Sequence, residues 1–330
     1  MPRPENVGEF LTRDTNPSGG PAINPLIKPH ALKPGDTIGL VAPASAFDRR
    51  DFEAGAAALR ERGFAVRHRD DIFDRVRYLA GGEERRADEI HQMFCDPEVH
   101  AIFGVRGGYG ASRIIHLLDA DLIRRHAKIF VGMSDLTTLL LWLERACGLV
   151  TFHGPVIAKR GGWSDFTWRH LVAVLEGRQG KTPLRPQGLR TVIGGVAEGR
   201  LLGGNLTLLS HSIGTPWQPD TRGTILFIEE VNERYFRVDR KIVHLRTAGL
   251  LEGIAGVLVG QVHKSGERKK NGYTLEEVLR DVLGDLGVPV LMGFPAGHGR
   301  HNMTIPMGVR VRMDADQRMI TWLETGVISA

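Results

Sequence analysis

The chain has 330 residues, 42% of them hydrophobic, which is more than one ordinary domain needs and apolar enough to bury real cores. Its 43 basic and 38 acidic residues leave a formal charge of +5 but are interspersed, so no basic block marks a nucleic-acid footprint; the mild excess suits small anionic substrates. Two cysteines, Cys95 and Cys147, exclude a disulfide framework and a four-cysteine zinc site and fit a reducing compartment.

Residues 1–30 begin "MPRPENVGEFLTRDTNPSGGPAINP", polar and proline-rich without a signal-peptide core, and read as a poorly ordered extension. No apolar run reaches the roughly 20 residues that span a bilayer. The expectation is a soluble, cytoplasmic protein with no membrane or nucleic-acid partner. "KPGDTIGLVAPAS" then gives a buried strand, followed by a helix from about Phe47 to Arg62. "FAVRHRD", "AIFGVRGG" and "KIFVGM" read as further strands, and "ERRADEIHQMFCD", "ASRIIHLLDADLIRRH" and "DLTTLLLWLERACG" as the helices between and after them. With "FHGPV" and the helix "WSDFTWRHLVAVLEG", this alternation predicts an α/β domain over residues 31–178. Its sheet is parallel and doubly wound, with ligands gathered at the carboxyl ends of the strands. The stretch "RQGKTPLRPQGLRTVIGG" places a linker at 179–192. Residues 193–330 mix strands ("TILFIEE", "AGVLVGQV") with helices around Arg234–Ala248 and Thr274–Leu286. They end in a hairpin, "VRVRMDADQRMITWLE", and make a mixed α/β second domain.

Three segments carry more than packing requires. In "FVGMSDLTTLL" (130–140), Ser134 and Asp135 stand where a strand turns into a helix. Either residue suits a helix cap, the ordinary use of these residue types at such a join; a serine at such a turn is also exposed, with the next N–H beside it as a potential oxyanion donor. In "GVRGGYG" (104–110), glycines after an apolar strand let backbone N–H groups approach a ligand, although neither the dinucleotide nor the phosphate-loop pattern is present. In "PAGHGRHN" (295–302), His298 lies among small residues; with His301 it has a spacing that also suits a metal. Glu229 and Glu230, ending the apolar run of "LFIEEVNE", supply a carboxylate that could orient His298.

Seven segments in one order resemble the LD-carboxypeptidases, the family of murein tetrapeptide carboxypeptidases and microcin C immunity peptidases. They are "KPGDTIGLVAPAS", "GVRGGYGASRIIHLLD", "VGMSDLTTLL", "FHGP", "LLGGNLTLLSHSIGTPW", "LFIEEVNERYFRVDRKIVHLRTAGLLEGIAGVLVGQ" and "PVLMGFPAGHGRHNMTIPMG", and they span about residues 30–325. The resemblance implies a serine nucleophile at Ser134, its glutamate at Glu229 and its histidine at His298. It also implies a homodimer and a second domain with a small barrel-like sheet, the active site lying between the domains. The family commonly has Glu-Asp where this chain has Glu229 and Glu230, which leaves both acids open as the partner of His298.

On this reading Ser134, activated by His298 and Glu229, attacks an L,D-peptide bond next to a C-terminal D-amino acid. The N–H groups of Asp135 and of Gly107 or Gly108 bind the oxyanion. The substrate is a small peptide whose free carboxylate calls for an arginine, with Arg106, Arg240 and Arg300 as candidates. Tyr109 and Asn205 are placed in the pocket by their motifs, and no cofactor or metal is expected. Three alternatives differ in their tests. A microcin-type immunity carboxypeptidase would cleave an aminoacyl-nucleotide amide. A metal amidohydrolase using His298, His301 and His153 would be sensitive to chelators. A non-catalytic muropeptide-binding protein would bind without turnover.

Overall fold

The computed structural model describes residues 26–263 and 272–328. The first half contains β1 (Thr37–Val41), α1 (Arg49–Glu61), β2 (Ala65–Arg67), α2 (Glu83–Cys95), β3 (Val99–Gly104) and α3 (Ala120–Arg125). It continues with β4 (Ile129–Gly132), α4 (Thr137–Cys147), β5 (Thr151–His153) and α5 (Asp165–Leu175). The five strands are parallel, in the order 2-1-3-4-5. Both faces are covered, which is why β1, β3 and β4 read as nearly unbroken apolar runs. Phe52, Ala56 and Leu59 of α1 and Leu171 and Val174 of α5 pack into the core on one face. Ile90 and Phe94 of α2, Ile123 of α3 and Leu139 and Leu143 of α4 pack on the other. Asp48 and Ser164 cap α1 and α5 by accepting from first-turn N–H groups.

The second half comprises β6 (Arg190–Ile193), β7 (Val196–Asn205), α6 (Leu206–His211), β8 (Thr224–Val231), α7 (Tyr235–Thr247), β9 (Gly256–His263) and α8 (Leu275–Leu283). It closes with β10 (Val290–Met292), β11 (Ile305–Met307), β12 (Arg310–Asp314) and β13 (Met319–Trp322). A curled seven-stranded sheet runs β13-β12-β7-β8-β9-β10-β6, parallel from β7 to β10 and antiparallel at both edges. Period-2 alternation splits β8 between two cores: Leu226 and Ile228 meet α6, α7 and α8, while Phe227 joins the core shared with the first sheet. β11 crosses over to pair antiparallel with β5 as the sixth strand of the first sheet while still lying against β7.

Three sequence expectations change. The segment 111–126 is not one helix: two 3₁₀ turns, Ala111–Arg113 and Ile115–Leu117, precede α3, because Asp119 caps a fresh helix by accepting from Leu122 N at 2.9 Å. Residues 26–30, read as extension, are held in place. Ile27 donates to Gly148 O and accepts from Val150 N, and Ile328 N donates to Pro29 O. Residues 1–25, the rest of that extension, lie outside the described residues. Within the stretch read as a linker, Leu184 bridges Ile320 and Arg190 begins β6. No described helix is long and apolar enough to cross a membrane.

Candidate active site

The carboxyl ends of the two parallel arrays meet. On the first sheet the strand order reverses between β1 and β3, the position where such sheets bind ligands; there lie Pro43–Ser45 and the glycine loop 104–110, with Ser134 just past β4. On the second, Asn205 ends β7, Glu229 and Glu230 lie near the end of β8, and His298 follows β10. Thr137 Oγ1 accepts from Asn205 N at 3.2 Å. Asn302 Nδ2 donates to Sδ of Met133, the residue before Ser134, at 3.3 Å.

Ser134 has φ 62, the left-handed region that a non-glycine residue seldom adopts, and such strain gathers where geometry serves chemistry. Neither Ser134 nor Asp135 caps a helix: the 3₁₀ turn Ser134–Leu136 and the following α4 have no side-chain cap. Asp135 is buried instead, and its Oδ2 accepts from Ala111 N at 2.8 Å. Burial holds this carboxyl above the ordinary aspartate range, opposed by that N–H and by the charge of Arg86.

The glycine loop backs onto the serine. A β-carbon on Gly107 would stand 3.0 Å from Ser134 Oγ and 3.1 Å from Asp135 N. Gly108 has φ 91 and faces Ser45, whose Oγ accepts from Tyr109 N at 3.0 Å. Among the described residues the N–H groups of Gly107 and Gly108 have no acceptor, so both remain available to a ligand oxygen.

His298 Nδ1 lies 2.7 Å from Glu229 Oε2, with the glutamate side chain fully buried and the imidazole partly exposed. Gly297 makes this approach possible: a β-carbon there would stand 2.8 Å from Glu229 Oε2. The loop bearing His298 is braced by Gln261, which accepts from Gly299 N at 2.6 Å and donates to His301 O at 2.9 Å, and by Asn302, which accepts from Gly297 N at 3.0 Å. Ser134 Oγ makes no hydrogen bond with a described residue; such bonds commonly tighten only around substrate.

The two acids have separate surroundings. The register of β8 against β9 shifts between Ile228 and Glu230, and this irregularity lets successive side chains converge on one amide. Asn205 Nδ2 lies 3.2 Å from Oε1 of each. Glu230 goes on to accept from Thr207 N and Oγ1, from Val231 N and from Lys241 Nζ, at 2.6–3.1 Å. Asn205, assigned to the pocket by its motif, is thus buried with its amide on the carboxylates and its Oδ1 accepting from Leu208 N.

Of the remaining residues, Tyr109 is half exposed and packs against Tyr78 at 5.8 Å between ring centroids. Arg106 is exposed on the glycine loop and donates to Ala46 O at 2.8 Å. Arg300 is exposed two residues after His298, and Arg240 lies over the Phe236 ring on α7. His301 meets Ser164 Oγ at 3.1 Å and the ring of Phe166, while His153 is wholly buried against Phe227. Among the described residues no three His, Cys, Asp or Glu side chains cluster as metal ligands. The supports Ser45, Arg86, Gln261, Lys241 and Asn302 were not singled out by sequence reasoning. The available signal was on α2, where Arg86 and Glu89 fall on the same stripe as Ile90 and Met93.

Residues 38–154 match the model of the LD-carboxypeptidase N-terminal domain, and residues 198–313 that of the LD-carboxypeptidase C-terminal domain. The chain belongs to the LD-carboxypeptidase family. It is 37% identical over 307 residues to a probable murein peptide carboxypeptidase of Bacillus subtilis, covering 91% of this chain and 95% of that one. It is 28% identical over 328 residues to the microcin C7 self-immunity protein of Escherichia coli, covering 89% and 94%. Among solved structures, a muramoyltetrapeptide carboxypeptidase from Oxalobacter formigenes superposes with a TM-score of 0.77 at 29% identity, covering 86% of this chain and 97% of the other. Family membership makes the chain a peptidase, and both matched domains contribute residues to the site described above.

Proposed function

We propose that this chain is a serine-type LD-carboxypeptidase that removes the C-terminal D-amino acid from murein tetrapeptides. The observation that supports this most is the buried Glu229 carboxylate on Nδ1 of His298, a pair braced against the turn that holds Ser134 at φ 62. Glu229 keeps the proton on Nδ1 and balances the imidazolium, so Nε2 is the nitrogen that exchanges protons. His298 takes the Ser134 proton as Oγ attacks the carbonyl carbon, and the N–H groups of Asp135 and of Gly107 or Gly108 receive the developing oxyanion. Collapse of this intermediate breaks the C–N bond, and His298 protonates the departing D-amino acid. Water, deprotonated by His298, then hydrolyses the acyl-enzyme. Arg106, on the same loop as Gly107, is the arginine we assign to the substrate carboxylate, with Tyr109 beside it. We further read the protein as a cytoplasmic homodimer, which light scattering on a sizing column checks.

The relationship to the microcin C7 self-immunity protein supports a second substrate, an aminoacyl-nucleotide amide. The deciding experiment incubates the protein with L-Ala-γ-D-Glu-meso-diaminopimelyl-D-Ala and, separately, with an aspartyl sulfamoyl adenosine, and follows both by mass spectrometry. Loss of D-alanine from the first at the higher kcat/KM is expected. Release of aspartate alone would move the assignment to the immunity reaction, and turnover of neither would refute both.

A further inference from the structure

Helix α2 carries two fully buried charged residues on its inward face, Arg86 and Glu89. Buried charge is costly unless it is hydrogen-bonded, and both residues spend hydrogen bonds on backbone beside the site. Glu89 Oε2 accepts from Ala42 N at 2.7 Å, just past β1. Arg86 Nη1 donates to Pro43 O at 2.5 Å and to Gly110 O at 2.7 Å, while its Nε donates to Gly82 O at 3.3 Å. One guanidinium nitrogen therefore joins the loop after β1 to the last residue of the glycine loop. Position 110 has no room for a side chain: at φ 128, a β-carbon there would stand 2.5 Å from Leu79 Cδ2 and 3.2 Å from Arg86 Nη1. The next residue, Ala111, gives its N–H to Asp135, whose own N–H lies beside Gly107. Ser45, two residues after Pro43, holds Tyr109 by accepting from its N–H at 3.0 Å and donating to its carbonyl at 3.3 Å.

We propose that Arg86 is a positioning residue for the oxyanion hole: by tying Gly110 to Pro43 it fixes the glycine loop, so that Gly107 keeps its place against Ser134 with its N–H and that of Gly108 free to receive the oxyanion. The inference rests on Ser134 being the nucleophile. A loop about 1 Å out of place costs on the order of a hundredfold in rate even when every group that touches substrate is present.

A fluorophosphonate probe tests this without knowledge of the substrate. Ser134 Oγ bonds to phosphorus, fluoride leaves, and the hydroxyl proton passes to His298; the phosphoryl oxygen occupies the oxyanion hole on the way. Peptide mapping of the wild-type adduct establishes whether Ser134 reacts at all, and labelling elsewhere would refute the nucleophile assignment and this inference with it. Given labelling at Ser134, Arg86→Lys is expected to slow it tenfold or more. Its ammonium cannot reproduce the three guanidinium bonds. The pH of half-maximal labelling should stay where the wild type has it, because Arg86 does not touch the His298–Glu229 pair. A folded Arg86→Lys protein labelled within twofold of the wild-type rate would overturn the proposal, as would a rate loss accompanied by a shifted pH midpoint. If Arg86→Lys does not fold, Ser45→Ala decides: it loosens the same loop at Tyr109, and an unchanged labelling rate there likewise overturns the proposal.

Discussion

Gly107 backs so closely onto Ser134 that a β-carbon on it would stand 2.8 Å from the serine's own β-carbon. Real β-carbons do not approach so near, so Gly107→Ala must displace either the loop or Ser134. The expected result is a loss of about 10²-fold or more in kcat, the usual cost of a lost oxyanion donor, with the melting temperature little changed. Steady-state kinetics and thermal melting on one preparation check it; normal kcat in a folded variant would remove Gly107 from the oxyanion site.

The surroundings of the two acids separate Glu229 from Glu230. Glu229→Gln should lower kcat by about 10³ to 10⁴ because the imidazolium loses its partner. Glu230→Gln should keep kcat within about tenfold yet cost about 2–4 kcal/mol of stability, since Lys241 and Thr207 lose a buried carboxylate. Kinetics paired with urea unfolding tests the ranking, and the reverse order would assign the histidine to Glu230.

At Ser134 the backbone and the chemistry pull in opposite directions. Ser134→Ala and Ser134→Gly should both abolish turnover. Because φ is 62, the glycine variant should be more stable than the alanine one by about 1 kcal/mol. Equal stabilities would mean that the turn relaxes once the hydroxyl is gone.

His153 should make the fold sensitive to acid. Burial pushes its imidazole down to about 4, with Glu229 opposing the shift and His298 adding to it. In the unfolded chain a histidine titrates near 6.5. Between those values the unfolded state binds the extra proton, so stability is full above pH 6.5 and falls as the pH drops towards 4. The loss should reach about 2.5 kcal/mol by pH 4.5. His153→Leu should lose correspondingly less between pH 7 and pH 4.5 in urea unfolding; identical losses would show that His153 is not buried neutral.

The alternating strands and helices of the first half were legible because each unit is local: apolar runs in β1, β3 and β4, and polar faces on α1 and α2. The segments holding Ser134, Gly107, Glu229 and His298 each have an ordinary structural use as a helix cap, a tight turn or a strand end, and only their order along the chain, which resembles one family, joined them into a candidate site. What could not be read depends on pairing between distant residues. β11 is three residues long and finds its place only against β5. The register shift in β8 exists only relative to β9, yet it decides that Glu229 and Glu230 share Asn205. Arg86 and Glu89 have their partners, Pro43, Gly110 and Ala42, 24 to 47 residues away.

The crossing of β11 into the first sheet has a consequence for synthesis. While the chain is still on the ribosome, β5 presents an open edge until Ile305–Met307 emerge, and an unpaired edge invites association with other chains. The same three residues follow the His298 loop, so sealing that edge and delivering the histidine happen together. Until that stretch is in place, Ser134 can be folded on its sheet while the contact between His298 and Glu229 has still to form.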